Sequence, residues 1–206
     1  MALDSFANLK TSIADWLNRS DLTNAIPDFI TLAEAQLNRE LRHYKQHNKA
    51  TANIETQYSA TPTDWLQSIR FHLNDTSSTL LKQTSPEEIA KLRDGNDNTT
   101  GRPQYYAHVG DLIEVWPTPD LTYSGELLYY QQIPALSDSN TSNWLLAMSP
   151  DAYLYGALLQ ASPYLQNDER MAVWGSAYQG AINGIMGESD NSRHSASNLK
   201  LRIRSY

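Results

Sequence analysis

Residues 126–174 read ELLYYQQIPALSDSNTSNWLLAMSPDAYLYGALLQASPYLQNDERMAVW, and the fold turns on how this stretch changes period. Leu127, Leu128, Tyr129 and Tyr130, between Gly125 and Pro134, form an extended, aromatic-rich strand. Ser137 to Asn143 is too rich in Ser, Asp and Asn to pack as core, so it reads as a polar loop. Trp144-Leu145-Leu146 closes back onto apolar surface, and Ser149-Pro150-Asp151 opens a helix. A serine can accept from free N–H groups there, proline at the first helical position gives up a donor that would be idle, and aspartate suits the positive helix end. A sheet is therefore tied to a helical layer within these residues, and none of their groups suggests reaction chemistry.

Outward from this junction the periods are clear. Phe6, Leu9, Ile13 and Trp16/Leu17 recur every three or four residues and predict a helix over 4–18. Ile26, Ile30, Ala33, Leu37 and Leu41 predict a second one, with Pro27 in its first turn. Ala52, Ile54, Thr56 and Tyr58 then alternate with polar residues as one half-buried strand, and Ile69, Phe71 and Leu73 do so as another. Thr79 to Gln83 is read as a hairpin's return strand, and Ser85-Pro86-Glu87-Glu88 as a capping box opening a short helix. Tyr105–Val109, Leu112–Trp116 and the strand from Glu126 to Ile133 complete an antiparallel meander. Helical spacing returns through Tyr155, Leu158/Leu159 and Ser162, then through Met171, Trp174, Tyr178, Ala181/Ile182 and Ile185. Gly175, Gly180 and Gly184 weaken this last helix by about 1 kcal/mol each relative to alanine, and close approach of a neighbouring helix is the expected return.

Neither helical pair can bury its stripe alone, so the expected class is α+β. A four-helix bundle (residues 1–48 and 144–187) carries an inserted small antiparallel β-domain (49–143) and an extended C-terminal arm (188–206).

Several function classes are disfavoured. The chain of 206 residues has no cysteine, hence no disulfide framework and no thiolate metal site, in keeping with folding in a reducing cytosol. No apolar run reaches about 18 residues, so no membrane span is expected. MALDSFANLK lacks the basic and apolar regions of a signal peptide. His43, His47, His72, His108 and His194 have no metal-ligand spacing, and neither a metal nor a cofactor is expected. Adjacent Glu87 and Glu88 point apart on a helix and are explained by capping. No nucleophile elbow or phosphate loop occurs. Tyr105, Tyr106, Trp116, Tyr123, Tyr129 and Tyr130 read as core and subunit interface rather than a sugar-binding face, with one of each Tyr pair facing a partner.

Net charge is −7, but residues 191–206 hold Arg193, Lys200, Arg202 and Arg204 and no acid; this +4 leaves −11 on the remainder. Such a body binds nucleic acid poorly. In the arm, Leu199, Leu201 and Ile203 alternate with Lys200, Arg202 and Arg204, the pattern of a strand that adds to a partner's sheet.

DLTNAIPDFITLAEAQLNRELR, then SPEEIAKL with GRPQYYAHVGDLIEVWPTPD, then the long block from Glu126, together resemble the head-to-tail adaptor (connector) proteins of tailed bacteriophages, especially short-tailed ones. The resemblance covers nearly the whole chain. It implies a structural virion protein without enzymatic activity, made in the host cytoplasm. Twelve copies would form a ring between the portal and the tail nozzle or tail tube protein, extending a channel through which DNA passes without specific binding. It also implies that the C-terminal extension meets the portal, which assigns portal contact to Arg193, Leu199, Lys200, Leu201, Arg202, Ile203, Arg204 and Tyr206. Some relatives degrade murein, which makes a murein-degrading tail accessory protein the alternative.

Overall fold

The computed structural model describes residues 3–74, 78–95, 99–165 and 170–194, with side chains through 192. They fall into two compact units, a helical one of residues 1–45 and 133–206 and a β-rich one of residues 46–132. The described residues form six α-helices and seven strands. The class is α+β, but the expected four-helix bundle with a small antiparallel insert is corrected in both parts.

The helical unit is built from α1 (Phe6–Leu17), α2 (Ile26–Glu40), α4 (Trp144–Met148), α5 (Pro150–Leu165) and α6 (Met171–His194). Ser5 caps α1 by accepting from the Asn8 N–H, and Asn18 closes it in the left-handed conformation at φ 54°. These helices are not two pairs side by side. α1, α2, α4 and α6 all pack against α5, whose Ala152, Tyr153, Leu154, Gly156, Ala157, Leu158, Ala161 and Ser162 are all buried. A helix apolar nearly all round belongs at the centre, and the short spacer α4 lets Leu145 and Leu146 close the core beneath it.

Gly156 is what permits the close packing. A Cβ there would lie 3.2 Å from the Ala33 Cβ of α2 and 3.3 Å from the Tyr178 ring of α6. The glycines expected to serve this purpose do not. At Gly180 and Gly184 a Cβ would meet nothing within 4 Å, and at Gly175 only Leu159 Cδ2, at 3.9 Å. The last helix also does not stop near Gly187. It runs on to His194, and its Ser189 is buried and accepts from the Tyr44 N–H at 3.3 Å.

The β-rich unit is more closed than expected and has one strand more than the six read from the sequence. Its strands are β1 (His47–Ile54), β2 (Tyr58–Ala60), β3 (Trp65–Leu73), β4 (Thr79–Gln83), β5 (Tyr105–Val109), β6 (Leu112–Trp116) and β7 (Tyr123–Gln131). They form a nearly closed, barrel-like sheet in the order β1-β7-β3-β4-β5-β6-β2. The single strand expected from Ala52 is broken after Ile54, so that β1 pairs with β7 and β2 with β6 at the opposite edge. Nor is the sheet an antiparallel meander: β4 and β5 run parallel, Lys82 opposite Tyr105. A parallel pair needs a crossover, and α3 (Pro86–Asp94) supplies it, laying Ile89 and Leu92 over Ala107 and Trp116.

Inside, Ile54, Phe71, Leu73, Leu81, Tyr106, Ile113, Val115, Tyr123, Leu127 and Tyr129 form the core. Gly125 leaves room for them, since a Cβ there would come within 2.9 Å of both Ile54 and Phe71. The register of β3 with β7 shifts twice, between Trp65 and Gln67 and between Ser68 and Arg70, and at the second shift Ile69 is turned outward and Ser68 inward.

Candidate functional site

The junction read first in the sequence is held by a buried polar network within the helical unit. The Glu34 carboxylate on α2, 6% exposed, accepts from the Leu136 N–H at 2.8 Å and from the Tyr153 hydroxyl at 3.3 Å. Asn143 donates to the Tyr153 oxygen at 2.6 Å and to the Pro134 carbonyl at 2.7 Å. Its own oxygen accepts from the Leu145 and Leu146 N–H groups and so starts α4. Burial raises the Glu34 pKa, against the lowering effect of the Leu136 N–H and the Tyr153 hydroxyl. The Tyr153 hydroxyl is raised strongly, again mainly by burial. These groups fasten residues 133–143 to the helices, and the arrangement is structural. The loop's far end is not the solvated segment its composition suggested, because Asn143 is buried.

The other sequence candidates resolve as follows. Ser85 accepts from the Glu88 N–H at 3.2 Å, and the backbone and Ser85 hold Glu87 below its ordinary value, so the carboxylates cap α3. His43 is buried and stacked on Trp144 at 5.3 Å, while His47 meets the edge of Tyr130 at 5.0 Å. Among the described residues no group of three His, Cys, Asp or Glu could hold a metal ion. Nor is any helix among them long and apolar enough to cross a membrane.

Of the six aromatic residues read as core and interface, Tyr106, Trp116, Tyr123, Tyr129 and Tyr130 are buried, and Tyr105 is partly exposed. The expected split of Tyr129 and Tyr130 between core and partner is thus corrected. Tyr129 is instead held by Asp64 and Asn48, and burial with the Asp64 hydrogen bond pushes its hydroxyl up to about 12. The Ser68 turned inward by the irregularity in β3 meets His108 Nε2 at 2.8 Å. This could be mistaken for a nucleophile and base, but among the described residues the buried His108 Nδ1 has no hydrogen-bond partner to orient it. Burial lowers the His108 pKa.

The expected portal contacts Leu199, Lys200, Leu201, Arg202, Ile203, Arg204 and Tyr206 lie outside the described residues, as does the side chain of Arg193, which sits in the last turn of α6.

Sequence reasoning missed the exposed side of α6. Gly180, Gly184 and Gly187 recur at spacings of four and three, and among the described residues nothing lies within 4 Å of where a Cβ would stand. With Asn183, Glu188, Asn191 and Ser192 the last two line a shallow depression of about 540 Å³. The glycines were visible in the sequence, but not the side of the helix they occupy.

No curated protein matches the chain. Nothing in the family match below supports the murein-degrading alternative. The model of the SU10 adaptor protein family matches residues 4–202, through both units, and the chain belongs to that family, as a bacteriophage adaptor protein and hence a virion component.

Proposed function

We propose that this adaptor joins head to tail in a podophage-like virion, with copies closing a ring, twelve-fold as the resemblance implies, between the portal and the tail nozzle. The chain is made in the host cytoplasm and takes its place at the head-tail interface, where the ring extends the DNA channel. The observation that carries this reading is the family match over residues 4–202. Two features support it. The glycine side of α6 costs helix stability that no described part of the same chain recovers, and a neighbouring copy packed closely there would recover it. A body at −11 lets DNA pass without gripping its phosphates.

The same charge repels like copies, so the purified chain is expected to be monomeric and to form rings only on the portal, which raises its effective concentration. Arg193 and the alternating residues from Leu199 to Tyr206 make the portal contact in this reading. Sedimentation of the chain alone, followed by electron microscopy after mixing with portal rings, tests the proposal. Stable rings without the portal would overturn the assembly order, and absence of the chain from portal rings would overturn the function. Removing residues 195–206, beyond the last helix, is expected to leave the fold intact and abolish attachment.

A further inference from the structure

The β-rich unit holds a hydrophilic pocket of about 340 Å³ lined by Thr61, Pro62, Thr63, Trp65, Asp111 and Gln132. Its walls are fixed through the backbone. The Thr61 N–H and hydroxyl both donate to the Asp111 carbonyl at 3.0 Å, tying the β2–β3 loop to the tight turn at Gly110, where φ is +60°. The Trp65 N–H donates to the Pro62 carbonyl at 3.1 Å, and the Gln132 N–H to the Asp64 carbonyl at 2.7 Å.

The indole of Trp65 is fixed as well. Its Nε1–H donates to Ser68 Oγ at 3.1 Å, and the His108 ring lies against it at 4.5 Å between centroids. Its one polar atom is thus satisfied within the protein, and it offers the pocket only carbon surface. The hydroxyl of Thr63, the carboxylate of Asp111 and the side-chain amide of Gln132 make no hydrogen bond among the described residues. A held aromatic ring, an unengaged acid, an unengaged amide and an unengaged hydroxyl therefore face one small volume.

We propose that this pocket binds a neutral pyranose, one ring of an oligosaccharide. A pyranose has a C–H face for the indole and vicinal hydroxyls that need both donors and acceptors. Asp111 accepts, Gln132 does both, and Thr63 completes the set. Two competing ligand classes fit less well. Nucleic acid would bring phosphates to a lining that has a carboxylate and no lysine or arginine. Glycoside cleavage needs a pair of carboxylates, and the lining has one, so the inference is recognition without turnover. It does not depend on the place of the chain in the virion.

The test is calorimetric titration of the full chain with maltose, cellobiose and N,N′-diacetylchitobiose, each repeated with a longer oligomer of the same unit. Saturable binding of at least one series is expected, to be lost in Trp65→Ala. In Asp111→Asn it should weaken about tenfold, as for a lost charge-assisted hydrogen bond. Tighter binding of the oligomer would place the ligand within a chain, and equal binding would make it a free sugar. Asp111 and Gln132 are exposed, so Asp111→Asn and Gln132→Ala keep the fold even if Trp65→Ala does not. Binding undiminished in both of these variants, no saturable binding of any probe, or binding of oligothymidylate in preference to every sugar would each overturn the proposal.

Discussion

Helices α5 and α6 both carry glycine, and they use it in opposite ways. In α5, Gly156 stands where α2 and α6 come closest, with Ala33 and Tyr178 occupying the space of a side chain. In α6, Gly180, Gly184 and Gly187 meet no other described residue where a Cβ would stand, on the side away from Trp174, Tyr178, Ile182 and Ile185. A glycine's meaning is therefore set by what lies beyond its missing Cβ, and only the first kind belongs to the fold of the single chain. The second kind weakens the monomer and is intelligible if something outside the chain packs there.

The comparison can be tested from its strongest point downward. Trp174 is 2% exposed at the contact of α6 with the core, and its ring also carries the Arg170 guanidinium at 4.8 Å. Trp174→Ala should cost about 3–5 kcal/mol in chemical denaturation. A loss well under that would mean that the buried side of α6 is not what anchors it.

Next in size, Gly156→Val forces a branched side chain against Ala33 and Tyr178 and should cost about 1–3 kcal/mol despite valine's better helix propensity. It should also disturb the hydrogen bond that the Tyr178 hydroxyl gives to Glu40 at 2.9 Å. A Gly156→Val chain as stable as the parent would remove the distinction between the two helices.

Glu34 gives a sharper handle on the same core, because α5 reaches it through Tyr153. Its folded-state pKa is raised above the ordinary 4.5, so the folded chain holds this proton more tightly than the unfolded one. The contribution of Glu34 to stability is then greatest below pH 4.5 and declines as pH rises through the raised folded value. Glu34→Gln keeps an oxygen for Leu136 and Tyr153 and should flatten that part of the stability–pH curve. Glu34→Ala leaves both donors without an acceptor and should cost about 1–3 kcal/mol. Identical pH slopes for the parent and Glu34→Gln would show that Glu34 does not titrate in this way.

The smallest effect has the opposite sign. Gly184→Ala should stabilise the isolated chain by about 0.5–1 kcal/mol, since a Cβ meets nothing there. If copies meet along this side, Gly184→Leu should leave the melting temperature at or above that of the parent and still prevent ring formation on the portal. Normal rings from Gly184→Leu would free this side of α6 from any role in assembly.

Much of this organisation was legible in the chain itself. The periods of three and four through Phe6–Leu17 and Ile26–Leu41, the capping signal at Ser85 and the helix start at Ser149 mark elements found where they were expected, because capping and amphipathicity act over a few residues. The family resemblance was carried by the same local blocks, and the match to the SU10 adaptor protein family agrees with it as far as a phage adaptor protein. Tertiary structure decided which strand pairs with which. Alternation marks a strand without naming its neighbour, so the break after Ile54 and the parallel pairing of β4 with β5 had no local signal. It decided that α5 stands at the centre, that Ser68 turns inward, and which glycines are filled by neighbours. It also gathered Trp65, Asp111 and Gln132, far apart in the chain, around one pocket. The physical reason is common to all of these. Local propensity depends on residues a turn or two away, whereas burial, register and convergence depend on partners that only the folded chain brings into contact.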